Sequence, residues 1–191
     1  MKRWLSLLLL LPLGACGYNS IQKLDEAASS AQGQIEVQLQ RRADLIPNLV
    51  NTVKGYAQHE EEVFTKVAEA RAGLLGAIQT KDPEAMANAN AQMTGALGRL
   101  LVVSEAYPQL KADQSFIRLQ DELTGTENRI ATARNDYTQA VNAYNAYIRQ
   151  FPAVMTAKVT GAKPRKYFAA TNAAQGGPPA VDFSKPAAKT P

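Results

Sequence analysis

The sequence predicts an all-α fold, an elongated antiparallel bundle of about four helices, two long and two shorter, and three observations carry that prediction. A large apolar or aromatic residue returns at every seventh position over Phe116, Leu123, Ile130, Tyr137, Tyr144 and Phe151. A second stripe, Ile21, Leu24, Ala28, Ala31, Ile35, Leu39, Ile46, Leu49, Val53 and Tyr56, keeps the spacing of one helix face. No stretch of useful length alternates apolar with polar residues, and no internal repeat is found, so strands and repeat architectures have no support.

The Ile21–Tyr56 stripe breaks the rules of a helix twice. Arg42 falls on its apolar face, and Pro47 lies inside the pattern, where it removes a backbone hydrogen bond. Either Asp44 caps a fresh helical start or one continuous helix carries a kink. The unbroken stripe favours the kink.

The next pattern, Val63, Phe64, Val67, Ala70, Leu74 and Ile78, follows "HEEE" at 59–62, whose charges suit a helix N-terminus. Asp82 as cap and Pro83 at the first position open another, through Met86, Ala89, Met93, Leu97 and Leu100 toward Ser104. The seven-residue repeat, with Leu119, Ala133, Ala140, Val141 and Ile148 on the same face, predicts a helix over about 114–150, roughly 55 Å long. Pro152 then marks a kink or an end. Short connections between these helices make an antiparallel bundle in one domain, over residues 16–160.

The ends of the chain carry the address. Lys2 and Arg3, the apolar run from Trp4 to Leu13 and the small residues Gly14, Ala15 and Cys16 have the layout of an export signal over residues 1–15. The run is too short to span a bilayer, which takes roughly 20 apolar residues. "LGAC" at 13–16 resembles the lipobox of bacterial lipoproteins, in which the cysteine thiol takes the lipid. Cys16 is the single cysteine of the chain, so no intramolecular disulfide is available to it.

The expectation is lipidation at Cys16, a membrane held through that lipid, and a place in the cell envelope. With Gly17 rather than aspartate after the cysteine, the periplasmic side of the outer membrane is favoured in a cell with two membranes. Otherwise the outer face of the cytoplasmic membrane is the expected place.

Net charge divides unevenly. The whole chain carries +4, but residues 17–157 carry −3 and residues 158–191 carry +5. The tail, 161–191, is rich in Gly, Pro, Ala and Lys and is expected to be disordered toward its end, roughly 175–191. "KPRKYF" at 163–168 has two readings, contact with anionic lipid or wall polymer, or a solvated segment kept soluble by its charges. The second is favoured. An exported chain with an acidic body excludes nucleic acid as a partner.

Catalytic chemistry has little to stand on. His59 lacks the second histidine at position 63 that a zinc-protease helix requires, because valine stands there, and no nucleophile elbow, phosphate loop or dinucleotide pattern appears. No metal or cofactor is called for. Arg41, Arg42, Arg71, Arg129 and Arg134 include residues beside apolar stripes. Their functional reading is an anion or partner site between helices. The favoured reading is an internal salt bridge, Arg42 or Arg134 with Asp44, Glu127 or another acid, which selects register. Tyr56, Tyr137, Tyr144 and Tyr147 are read as core rather than pocket.

Taken together, "YNSI" at 18–21, "VQLQRRADLIPNLVNTVKGYAQHE" at 37–60, "EAR" at 69–71, "ENRIATARNDY" at 127–137 and "AYNAYIRQFP" at 143–152 resemble the LemA family of bacterial envelope proteins, over about residues 17–170. The resemblance implies a helical bundle outside the cytoplasmic membrane and no catalytic residues or cofactor to transfer. It carries over Arg41, Arg42, Asp44, Leu45, Ile46, Pro47, Asn48 and Leu49, with Glu127, Asn128, Arg129, Ile130 and Arg134. Two features depart from the family pattern: a lipobox in place of an N-terminal membrane helix, and Tyr137-Thr138 in place of Tyr-Asn. The functional expectation is a non-enzymatic lipoprotein that serves as scaffold or adaptor for another envelope protein. Its alternative is a binding module for a small anion, lipid headgroup or cell-wall fragment.

Overall fold

The computed structural model describes residues 11–169, with side chains from residue 17 onward. Residues 1–10 of the expected signal, the Cys16 thiol and the expected disordered end at 175–191 lie outside that description. The described chain is all-α: α1 (Leu11–Lys54), α2 (Glu61–Thr80), α3 (Pro83–Glu105), α4 (Pro108–Lys111), α5 (Gln114–Tyr147) and α6 (Ala153–Thr160). At 1.5 Å per residue α1 is roughly 66 Å long and α5 roughly 51 Å.

Cross-helix pairs fix the topology. Ile21 clusters with Tyr144 and Ile148, Arg42 pairs with Glu127, and Tyr56 bonds Asp113, so α1 and α5 run antiparallel along their length. Arg71 reaches Ala43 and Lys81 meets Gln32, so α2 returns antiparallel to α1. Asn90 meets Arg42, so α3 runs alongside α1 again. The bundle is therefore up-down-up-down, with short connections, as the periodicity predicts.

The core follows the two stripes closely. Ala28, Ile35, Leu39, Ile46, Leu49 and Val53 of α1 pack with Phe116, Ile130, Tyr137 and Val141 of α5 and with Met86, Met93 and Leu100 of α3. Two predicted stripe members leave it. Phe151 is 83% exposed because α5 ends at Tyr147 and a turn swings the next residues outward. Tyr56 is 40% exposed and turns its hydroxyl to Asp113, 2.9 Å away, rather than filling the interior.

The helix starts also refine the sequence reading. Asp44 caps nothing: α1 runs unbroken through Pro47, and the Asp44 carboxylate accepts from Gln40 Nε2 at 2.9 Å. Asp82 holds the N-cap position of α3 in extended backbone, but its carboxylate accepts from Lys166 instead of from the helix amides. A full side-chain cap stands at Asp113, which accepts from the Ser115 and Phe116 N–H groups at 2.8 and 3.0 Å.

Past α5 the chain does not leave the bundle. It forms α6, closes it at Gly161 in the left-handed conformation (φ 72°), and there the Ala162 N–H donates back to Ala157 O at 2.9 Å. Residues 162–168 then lie back along α5 as an extended strap that ends with Phe168 buried in the main core. The reading of "KPRKYF" as a solvated tail gives way to this packing. A chain without helical periodicity found its stability in hydrogen bonds to α5 rather than in its own apolar pattern.

Candidate functional site

Two constellations occupy the middle of α1, where the sequence breaks helix rules, and both are built from the residues singled out there. Arg42 is 4% exposed, on the face that meets α3 and α5. Its Nη1 donates to Asn90 Oδ1 at 2.8 Å and pairs with the Glu127 carboxylate, and its Nη2 donates to Thr94 Oγ1 at 3.1 Å. Burial pulls the guanidinium below its usual range, and Glu127 opposes that shift by its charge and its hydrogen bond. Nε has no hydrogen-bond partner. Of the two readings of Arg42, the internal salt bridge is the one the fold adopts, and it ties three helices at one register.

Pro47 carries no N–H, so the carbonyl of Ala43, four residues back, loses its helical donor. Arg71 of α2 supplies one: its Nε donates to Ala43 O at 2.8 Å. The proline of the first block and the arginine of "EAR" thus form one interlock between α1 and α2. A helix defect on one element is satisfied by a side chain on the next.

Beside this interlock a groove of about 690 Å³ opens between α1 and α2. Ile46, Pro47 and Val50 form one wall, Phe64 and Ala68 the other, and Lys54, Glu61 and Arg71 place charges at its edges. The Lys54 ammonium lies 5.3 Å from the centre of the Phe64 ring, a cation–π distance. The groove is a mixed surface able to take an apolar segment with an acidic group near Lys54 and Arg71.

The other candidates do not converge on it. Arg41, Asp44, Asn48 and Asn128 are exposed on α1 and α5. Asn48 borders a separate shallow depression with Thr52, Arg118 and Glu122. Arg129 Nε donates to Gln38 Oε1 at 3.1 Å, and Arg134 lies 5.2 Å over the Phe168 ring. Among the described residues no cluster of His, Cys, Asp and Glu suits a metal ion, and His59 is exposed.

Sequence reasoning missed a third constellation, the clasp that holds the strap. Asn145, 5% exposed, both accepts from the Arg165 N–H at 2.8 Å and donates to Arg165 O at 2.9 Å, as a strand neighbour would. The Arg165 side chain donates to Asp25 Oδ1 and Ser29 Oγ on α1, each at 2.7 Å, and lies 5.9 Å over Tyr144. The bond to Asp25 raises the Arg165 pKa above its ordinary value. Tyr137 donates its hydroxyl to Lys166 O at 2.8 Å, and desolvation pushes that phenol up. The signal for Arg42's partners was present, since Asn90 falls between Met86 and Met93 on an apolar stripe. No periodicity marks an extended strap.

Among the described residues no helix is long and apolar enough to cross a membrane. Residues 31–183 match the LemA family. Two magnetosome proteins of Paramagnetospirillum magneticum (strain AMB-1), MamQ 1 and MamQ 2, are each 29% identical over 174 residues, covering 79% of this chain and 64% of theirs. Protein LemA of Metamycoplasma hominis is 22% identical over 133 residues, 70% of this chain and 60% of its own. The chain spans less than two thirds of the length of these curated relatives. With the family match extending over most of its length, the chain belongs to the LemA family.

Proposed function

We propose that this chain is a non-enzymatic envelope protein, held at a membrane through Cys16, whose bundle presents the α1–α2 groove to a segment of another envelope protein. The observation that carries the proposal is the use of the candidate side chains. Arg42, Pro47 and Arg71 are spent on holding helices in register, and what they leave open is a groove with apolar walls and the charges of Lys54, Glu61 and Arg71 at its edges. That suits a docking surface better than a reaction centre, which needs a convergent acid, base or nucleophile. The related magnetosome proteins are named for a structure and not for a reaction, which is in keeping with this reading.

A photo-crosslinker placed at Asn51 or Thr65 in the groove, in cells making the full chain, should give a discrete protein adduct. One placed at exposed Val102 on α3 should give none, and Cys16→Ser should lose the groove adduct. Groove positions as silent as Val102 would sink the adaptor role. The alternative, an anionic headgroup or wall fragment, draws on Lys54 and Arg71 as paired cations of the same groove, and an adduct with envelope lipid or wall polymer in place of protein would favour it.

A further inference from the structure

We propose that α6 seats the anchored end of the bundle on the lipid surface, with Phe151, Met155 and Val159 as the side chains that enter it; this rests on the anchored reading above. Met155 and Val159 are four apart and share one face of α6, and Phe151 stands in the turn that leads into it. They are 83%, 60% and 89% exposed, three of the four most exposed large apolar residues in the described chain. Scattered single apolar residues on a surface need no explanation, but a run of three within nine positions does.

The opposite face of α6 fixes where that run lies. Ala153 and Ala157 are buried against α1. A Cβ added at Gly17 would stand 3.1 Å from Thr156 Oγ1 and 3.8 Å from the Ala153 Cα. The residue immediately after Cys16 thus makes a close approach to α6, tighter than an ordinary side-chain contact. Below it Ile21, Tyr144, Ile148 and Ala157 form a small core separate from the main one. The α6 face therefore flanks the first turn past the expected lipid attachment, with Tyr18, 45% exposed, in that same turn.

Charge selects a bilayer as the occupant. From Tyr137 to Val181 the chain holds no acidic residue and five cations, Arg149, Lys158, Lys163, Arg165 and Lys166. Arg165 and Lys166 are spent on Asp25 and Asp82, while Arg149, Lys158 and Lys163 are exposed and form no ion pair among the described residues. An apolar helix face on a stretch of chain whose exposed charges are all positive is the composition of an interfacial helix on anionic lipid. A single acylated residue would let the bundle swing. A second, protein-borne contact beside it sets the tilt at which the α1–α2 groove is offered.

The test uses the full lipoprotein in vesicles of phosphatidylethanolamine and phosphatidylglycerol, with one cysteine introduced at Met155, or at Val102 as reference, and labelled with an environment-sensitive dye. Acylation occupies the Cys16 sulfur, so the introduced thiol is the single one that reacts. The dye at 155 should be blue-shifted and quenched by lipid-borne nitroxide several-fold more than at 102. Phe151→Ser with Val159→Ser should bring the 155 signal to the reference level while the protein stays vesicle-bound. Equal exposure at 155 and 102 on vesicle-bound protein overturns the seat and spares the anchor. A dye at 155 shielded from water yet out of reach of lipid quenchers means a protein covers α6, and also overturns it. A reactive Cys16 thiol and a protein that does not stay with the vesicles overturn both readings.

Discussion

Arg42 and Arg165 both join α1 to the far side of the bundle, and the fold treats them in opposite ways. The Arg42 side chain is 5% exposed, held by three helices, with one nitrogen left unpartnered. The Arg165 side chain is 23% exposed and held by a strap that could lift without parting any helices. A cation inside a helix–helix seam makes its partners part of global folding, whereas a cation on a strap belongs to a unit that can open by itself. Family-block residues thus serve rigidity at the middle of the bundle and attachment at its end.

The largest expected effect comes from removing Glu127. Glu127→Ala leaves a buried guanidinium without its counter-charge, a loss of several kcal/mol when both partners are dry. Because the Glu127 side chain is 43% exposed, water can reach the vacancy, and the expected cost is about 1–3 kcal/mol by denaturant melts. Replacing both partners, Arg42→Met with Glu127→Leu, should recover most of it. A double variant as unstable as the single would mean that the register itself depends on the ion pair.

Next in size is the proline interlock. Arg71→Leu strands the Ala43 carbonyl and should cost about 1–2 kcal/mol. Pro47→Ala restores a backbone donor to that carbonyl, so the same Arg71→Leu change should cost clearly less in the Pro47→Ala background. Additive costs in that cycle would show that Arg71 acts through groove packing alone.

Asn145→Ala removes two bonds of the clasp, those to the Arg165 backbone, and the strap should respond before the bundle does. Hydrogen exchange at residues 165–168 should accelerate by about tenfold, the equivalent of about 1.4 kcal/mol, with little change at Ala133 or Leu39 in the main core. Equal acceleration in the core would make the strap part of the global unit and erase the contrast between the two arginines.

How much of this was legible in the sequence follows the same division. Side-chain period encodes helices, and α1, α2, α3 and α5 lie where Ile21 to Val53, Phe64 to Ile78, Met86 to Leu100 and Phe116 to Tyr144 put them. The odd positions were legible as anomalies: Arg42 on an apolar face and Pro47 in a helix stood out, but Asn90 and Glu127 lie 48 and 85 residues from Arg42, and Arg71 lies 28 residues from the Ala43 carbonyl that it satisfies. The strap was illegible because it is held by backbone groups answering Asn145 and Tyr137, and backbone atoms leave no trace in a residue pattern. Eight-residue α6 was hidden for a related reason, since its buried face is only Ala153 and Ala157.

The smallest expected effect tests whether a surface contact matters to either region. Asp113 caps α5 at the end of the bundle opposite the strap, and its carboxyl is held below the usual carboxylate range, first by the Phe116 N–H and then by the Tyr56 hydroxyl. A depressed folded-state pKa means stability that is present above the unfolded value, near about 4, and lost as pH falls through the folded one. Asp113→Asn keeps an oxygen for the Ser115 and Phe116 amides but loses the charge at the helix N-terminus. The variant should therefore melt slightly below the wild type at pH 7, with the gap closing as pH drops below about 4. A gap that stays constant with pH would assign the cap to oxygen geometry alone. Hydrogen exchange at Arg165 should be unchanged at every pH, because the cap sits at the far end of α5 from the strap it would have to move.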